Sequence, residues 1–132
     1  QEKLDGKPMI ERALYRDRLV AAQAKTEALK FHALRLLSQT LKNEEPGLSR
    51  LIIKYYGTTL ARELSDIALE ALGELGTLYD GSPHLRSHGS WQVRNMFDLG
   101  LMIGGGTSQI QKNIISERGL GMPREPKPAE KK

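Results

Sequence analysis

Between Pro8 and Pro46 the chain has neither glycine nor proline, and no other feature narrows its fold so far. Apolar residues in that stretch fall at Ile10, Leu14, Ala21, Ala24, Ala28, Phe31, Leu34, Leu37 and Leu41, at spacings mostly of three, four and seven. Spacings of that kind put side chains on one side of an α-helix. The stretch reads as a single amphipathic helix over about residues 8–42, with Pro8 tolerated in its first turn and Lys42 to Glu45 leading out of it. At about 1.5 Å per residue it would be about 50 Å long, whereas a small domain is about 30 Å across. Its ends need partners beyond a compact monomer, and the isolated chain is expected to self-associate.

A second helix is expected over residues 46–72, opened by Pro46 and Gly47 and capped by Gly73. Its large stripe is Ile53, Tyr56, Leu60, Leu64, Ile67 and Ala71; beside it runs a small one, Gly57, Ala61, Ser65 and Ala68. The small stripe lets a neighbouring helix approach closely, a use that offsets the roughly 1 kcal/mol of helix propensity lost at Gly57. Gly73 to Ser90 is rich in glycine, with a proline and two histidines, and reads as a loop. Ser90 is placed to cap a third helix over 91–102, which the run Gly104, Gly105, Gly106 breaks. Thr107 is placed to cap a fourth over 108–118, ended by Gly119. No stretch alternates long enough to argue for a strand. With one Trp, two Phe and four Tyr in 132 residues, the core must be built from helix formers, so an all-α bundle is predicted over 1–121, followed by a Pro/Lys-rich tail over 122–132.

The absence of cysteine excludes a disulfide framework, a thiolate nucleophile and a cysteine-ligated metal centre, and it is compatible with the cytoplasm. The longest charge-free run, Leu99 to Gln111, is thirteen residues, short of the roughly 20 that span a bilayer. The net charge of +4 comes from dispersed charges of alternating sign and a basic tail, not from a basic stripe, so no nucleic-acid surface is expected. The chain opens on Gln1 without a signal segment or an initiator Met, and we expect it to be a piece of a longer polypeptide.

Chemistry is concentrated at Gly104-Gly105-Gly106-Thr107-Ser108-Gln109, a glycine run entering a helix. Free amides and the positive end of a helix dipole suit a phosphate or carboxylate there, and Thr107 and Gln109 add side-chain hydrogen bonds. The same residues also read as a flexible turn plus an N-cap. The run lacks the Lys-Ser/Thr ending of a P-loop, and no strand precedes it as a dinucleotide fingerprint requires. His84, His88 and Asp80 are metal-ligand types, but a glycine-rich loop does not fix their geometry, and exposed loop histidines are expected. His32 is placed at the boundary of the long helix. Glu63, Asp66 and Glu70 fall on one helix face, beside Arg62, as a solvated edge. Tyr55-Tyr56 reads as core plus interface.

The run from Ile103 through Gly106-Thr107-Ser108-Gln109-Ile110-Gln111 to Ile115, with Gly119-Leu120-Gly121-Met122-Pro123 behind it, resembles the end of the flavin-dependent acyl-CoA dehydrogenases. The long first helix, the helix end at Ile67 to Gly73 and Arg94 before the glycines fall in the family's order. The resemblance covers nearly the whole chain but only the last part of the family's length. It implies an antiparallel helical bundle like the family's C-terminal domain, lacking that domain's first helix and the β domain that holds the flavin ring.

What the resemblance implies for chemistry is α,β-dehydrogenation of an acyl-CoA thioester, with FAD as cofactor, in a homo- or hetero-oligomer arranged as a dimer of dimers. Thr107 and Gln109 match the family's flavin contacts at its last helix, with Gly106 beside them. A contact reaching across the dimer matches Glu70 and Gly73, although Glu70 stands where the family has glutamine and Glu74 where it has glycine. Gly105 falls at the usual place of the catalytic glutamate, so no residue of this chain is assigned as base. The base is then expected on the preceding helix, or missing as in a non-catalytic subunit of a heteromeric dehydrogenase. The reading from another class is a small helical interaction module whose basic tail meets an acidic partner.

Overall fold

In a computed structural model the chain is described at residues 3, 4, 6–124 and 126. Most of the tail expected over 122–132 lies outside the described residues. Among the described residues the chain forms the predicted all-α bundle, with four α-helices: α1 (Ala13–Leu41), α2 (Gly47–Leu72), α3 (Ser90–Ile103) and α4 (Ser108–Ile114). α2 is the hub and packs against α1, α3 and α4.

The N-terminal end differs from expectation. Pro8 is not in the first turn of α1; it ends a two-residue antiparallel ladder, β1 (Lys3–Leu4) with β2 (Lys7–Pro8), where Lys3 pairs with Pro8 and Leu4 with Lys7. Gly6, at φ +75°, makes the reversal between them. A 3₁₀ turn over Met9–Glu11 follows, and α1 starts after Arg12, whose extended backbone (φ −78°, ψ 120°) breaks the helix. With 29 residues, α1 is about 44 Å long at about 1.5 Å per residue. It stops in a Schellman motif: Asn43 takes a left-handed φ of 56°, the Glu44 N–H donates to the Gln39 carbonyl at 2.9 Å and the Asn43 N–H to that of Thr40 at 3.1 Å.

The face of α1 that meets α2 is not the stripe chosen from the sequence. Tyr15 and Ala22 are buried and Leu19, Leu29, His32 and Leu36 half-buried, while Leu14, Phe31 and Leu41 are exposed at 74%, 63% and 76%. The helix is apolar on two sides, and polar partners on α2 decide between them. The Tyr15 hydroxyl donates to the Ile67 carbonyl at 3.3 Å, Arg18 pairs with Glu70 and Lys25 Nζ sits 2.7 Å from Glu63. The small stripe of α2 is used as expected: Leu29 approaches to 3.8 Å of where a Gly57 Cβ would stand, and Ser65 is fully buried.

α3 is inverted. Its buried positions are the polar Gln92, Asn95 and Asp98, while Trp91, Val93, Met96, Phe97 and Leu99 are exposed. Asn95 Nδ2 donates to Asp66 Oδ1 at 2.8 Å and to Ser65 Oγ at 3.3 Å, and Arg62 donates to the Asn95 carbonyl at 3.1 Å. Asp98 takes the guanidinium of Arg94 at 3.0 Å. The accessible surface is 10033 Å² for a 14.7 kDa chain, against about 6,900 Å² for a typical folded monomer of that mass. The outward apolar faces of α1 and α3 are surface that such a monomer would cover.

The segment read as a loop is more structured than expected, with 3₁₀ turns at Gly73–Thr77 and Ser87–Gly89. Gly73 terminates α2 with φ 55°. Ser90 does not cap α3; Gly89 holds the N-cap in a left-handed conformation and Ser90 is already helical. α4 ends at Ile114 and continues as a π-turn over Ile115–Gly119, closed by the Leu120 N–H on the Ile115 carbonyl at 3.0 Å. Among the described residues no helix is long and apolar enough to cross a membrane.

Candidate functional site

The glycine run forms the tight link between α3 and α4. Gly104 ends α3, its N–H on the Gly100 carbonyl at 2.8 Å, and Gly105 and Gly106 then take φ of +68° and +101°. Both values lie where L side chains are strained, so two consecutive glycines are required for the chain to turn here. Thr107 caps α4: its Oγ1 accepts from the Ile110 N–H at 3.3 Å, which leaves its O–H free to donate outward.

The turn is held from inside. Lys54 Nζ on α2 donates to the Gly106 carbonyl at 2.5 Å and stands 3.5 Å from that of Met102. Gln111, nine-tenths buried on α4, donates from Nε2 to the Gly105 carbonyl at 3.0 Å. The Gly105 and Gly106 carbonyls are thus satisfied inward, and the amides of Thr107, Ser108 and Gln109 open α4 ahead of its first intrahelical bonds. The Gln109 side chain is exposed beside them. This arrangement can accept an anion or a polar edge, with hydrogen bonds from backbone and side chain.

The other candidate residues lie elsewhere. Glu70 and Gly73 are at the far end of α2; Glu70 is sixteen residues from Lys54, or about 24 Å at about 1.5 Å per residue, and Gly73 is farther still. One chain does not bring them to the turn. Glu70 is paired with Arg18, a partner that the sequence pattern did not reveal. An open, mainly apolar groove of about 720 Å³, lined by Tyr15, Leu19, Leu64, Ala68 and Trp91 with Arg94 at its rim, lies at that same far end. Burial raises the Tyr15 hydroxyl above the ordinary tyrosine pKa of 10.0; the Glu70 carboxylate adds to the rise and Arg18 opposes it.

His84, His88 and Asp80 are exposed, and among the described residues no group of three His, Cys, Asp or Glu side chains could hold a metal. His32 is half-buried with Nε2 2.6 Å from the Ser49 carbonyl. Lys54 and Gln111 escaped the sequence reading because they lie outside the glycine motif proper; a lysine in a half-buried stretch of α2 was the available signal.

A family profile described as acyl-CoA dehydrogenase, C-terminal domain, matches residues 1–120. The chain is 36% identical over 115 residues to acyl-CoA dehydrogenase IpdE1 of Mycolicibacterium smegmatis, covering 86% of this chain and 27% of the relative. It is 32% identical over 122 residues to acyl-CoA dehydrogenase FadE26 of Mycobacterium tuberculosis, covering 90% and 30%. In structure it is similar to the ChsE4-ChsE5 complex from Mycobacterium tuberculosis, with a TM-score of 0.78 and 30% identity over 95% of this chain and 32% of that one. It therefore spans under a third of the length of these relatives.

Proposed function

This chain belongs to the acyl-CoA dehydrogenase family as a C-terminal domain, and from that premise we propose that it supplies part of an FAD site and an oligomer interface for α,β-dehydrogenation of an acyl-CoA thioester in the cytoplasm. The observation that carries the reading is the Gly104–Thr107 turn, whose Gly105 and Gly106 carbonyls are bound inward while the Thr107 amide at the start of α4 is left for a ligand. Its fit to a dinucleotide is polar, through the amides that open α4 and the side chains of Thr107 and Gln109.

Thr107 O–H, the Gln109 amide and the Gly106 backbone hold the cofactor in this reading. FAD, when bound, supplies the hydride acceptor. Glu70 and Gly73, too distant within one chain, take part only if a second subunit presents them. The Arg18 guanidinium on Glu70 neutralises a carboxylate that would otherwise repel a diphosphate, and so offsets the replacement of the family's glutamine.

Gly105 offers no proton acceptor, so the base comes from outside residues 1–132. A second reading follows from that same residue: a non-catalytic subunit whose partner supplies the base. The similarity to a structure described as a complex, ChsE4-ChsE5, supports it. The apolar faces of α1 and α3 serve as subunit contacts in both readings. As a folded fragment the chain is expected to sediment as an oligomer and to bind no FAD by itself.

The test uses the full-length polypeptide. Thr107→Ala removes one hydrogen bond to a charged or strongly polar partner, which costs about 1.5 to 3 kcal/mol, or roughly ten- to a hundredfold in FAD affinity. Unchanged flavin content after dialysis would sink the reading. Anaerobic reduction by an acyl-CoA then separates the two: reduction by the polypeptide alone indicates a homomer with its own base, whereas reduction only with a partner subunit indicates the heteromer.

A further inference from the structure

We infer that Lys54 is a positioning residue for the glycine turn: by gripping the Gly106 carbonyl from α2 it aims the Thr107 amide at the cofactor, an assignment that rests on the FAD reading above. The peptide bonds here are trans, and in a planar trans peptide the C=O of one residue and the N–H of the next point to opposite sides. Fixing the Gly106 oxygen 2.5 Å from Lys54 Nζ therefore fixes the Thr107 N–H outward. Gln111 anchors the peptide before it, through its bond to the Gly105 oxygen. Without these anchors a turn of three glycines has no side chains of its own to select one orientation of its amides.

Lys54 has two further properties that a plain structural lysine lacks. The same ammonium stands 3.5 Å from the Met102 carbonyl, so one group ties the end of α3 and the start of α4 to α2. Among the described residues no carboxylate pairs with it; its acceptors are carbonyls of this link. A half-buried positive charge thus lies behind the Thr107 amide, and both favour a negatively charged group in front. The turn is preorganised, and little ordering remains to be done when a diphosphate or flavin edge arrives.

The experiment compares Lys54→Met, Lys54→Gln and Lys54→Arg with Thr107→Ala in the full-length flavoprotein. Each is read by FAD affinity, by the visible flavin spectrum and by the thermal midpoint of the apoprotein. Lys54→Met is expected to weaken FAD binding roughly tenfold or more and to shift the flavin absorption envelope, with a fall in the apoprotein midpoint too small to account for that loss. Lys54→Arg should recover most of the affinity, and Lys54→Gln should fall between. Wild-type affinity and spectrum in Lys54→Met, alongside a loss in Thr107→Ala, would overturn the role of Lys54 while leaving the FAD reading intact. Wild-type affinity in both would overturn the FAD reading and this assignment with it. A fall in the apoprotein midpoint that matches the loss of flavin would show Lys54 to be a bundle contact instead.

Discussion

The side-chain nitrogen of Gln111 lies 2.9 Å from where a Cβ on Gly106 would stand, because the amide crosses the bare α-carbon to reach the Gly105 carbonyl. Gly106→Ala therefore combines a displaced Gln111 with a residue held at φ +101°. A non-glycine residue in a sparsely populated backbone region costs about 1 to 3 kcal/mol. Thermal unfolding should show a loss in that range. Gly100→Ala, where a Cβ meets nothing within 4 Å inside a helix, should be neutral or slightly stabilising. Equal effects from the two substitutions would mean that the turn adopts another conformation.

Much of this was legible in the sequence, for physical reasons that differ by element. Glycine and proline punctuation marks the α2 end at Gly73, and a threonine behind three glycines marks the N-cap at Thr107. Both depend on near neighbours. The face of α1 was not legible: an apolar stripe identifies a helix, but the choice between two stripes is made by Arg18, Lys25 and Tyr15 meeting Glu70, Glu63 and Ile67 on another element. α3 was obscured in the same way. Its Trp91, Met96 and Phe97 look like a core face by composition, yet the polar Asn95 faces α2 because Ser65 and Asp66 wait there. The inward anchors of the glycine turn depend on tertiary contacts as well. Lys54 is fifty-two residues from Gly106, and no local pattern links them.

In the reading proposed above, Gly105→Glu places a carboxylate at the position expected for the family's base. Here the backbone stands at φ +68°, and a left-handed conformation costs an L residue roughly 1 to 2 kcal/mol. The variant is expected to melt earlier than the parent by that amount and to gain no capacity for flavin reduction, since the strained backbone does not present the side chain as an extended one would. An unchanged melting temperature together with new reduction of flavin by acyl-CoA would contradict both halves.

Asn95 is the polar hub between α2 and α3, and its side chain satisfies the buried Ser65 and the carboxylate of Asp66. Removing one partner of buried polar groups costs about 1 to 3 kcal/mol, more than the bond itself contributes, because the groups left behind stay desolvated. Asn95→Ala should therefore destabilise by about that much, and Asn95→Asp by more, through repulsion with Asp66. Denaturant unfolding at neutral pH measures both. If Asn95→Ala proves as stable as the parent, water has replaced the amide and the network does not set the α2–α3 register.

Alkaline pH should expose the contact between α1 and α2. Burial, reinforced by Glu70 and opposed by Arg18, raises the Tyr15 pKa above its ordinary value of 10.0, so the folded chain keeps the proton that the unfolded chain releases. Between the unfolded and folded values the unfolded state binds fewer protons, and by linkage stability falls as pH rises. The contribution is complete below about pH 10 and is lost as pH climbs through the raised value. Tyr15→Phe has no proton to lose; it forgoes the 3.3 Å bond to the Ile67 carbonyl and keeps the packing. The parent should be slightly more stable than Tyr15→Phe at pH 8, and its advantage should shrink and then reverse above pH 10. Lysines titrate in the same range but do so in both proteins, so the difference between the two thermal midpoints isolates Tyr15. Parallel curves from pH 8 to 11 would show that the Tyr15 hydroxyl is solvated in the fold.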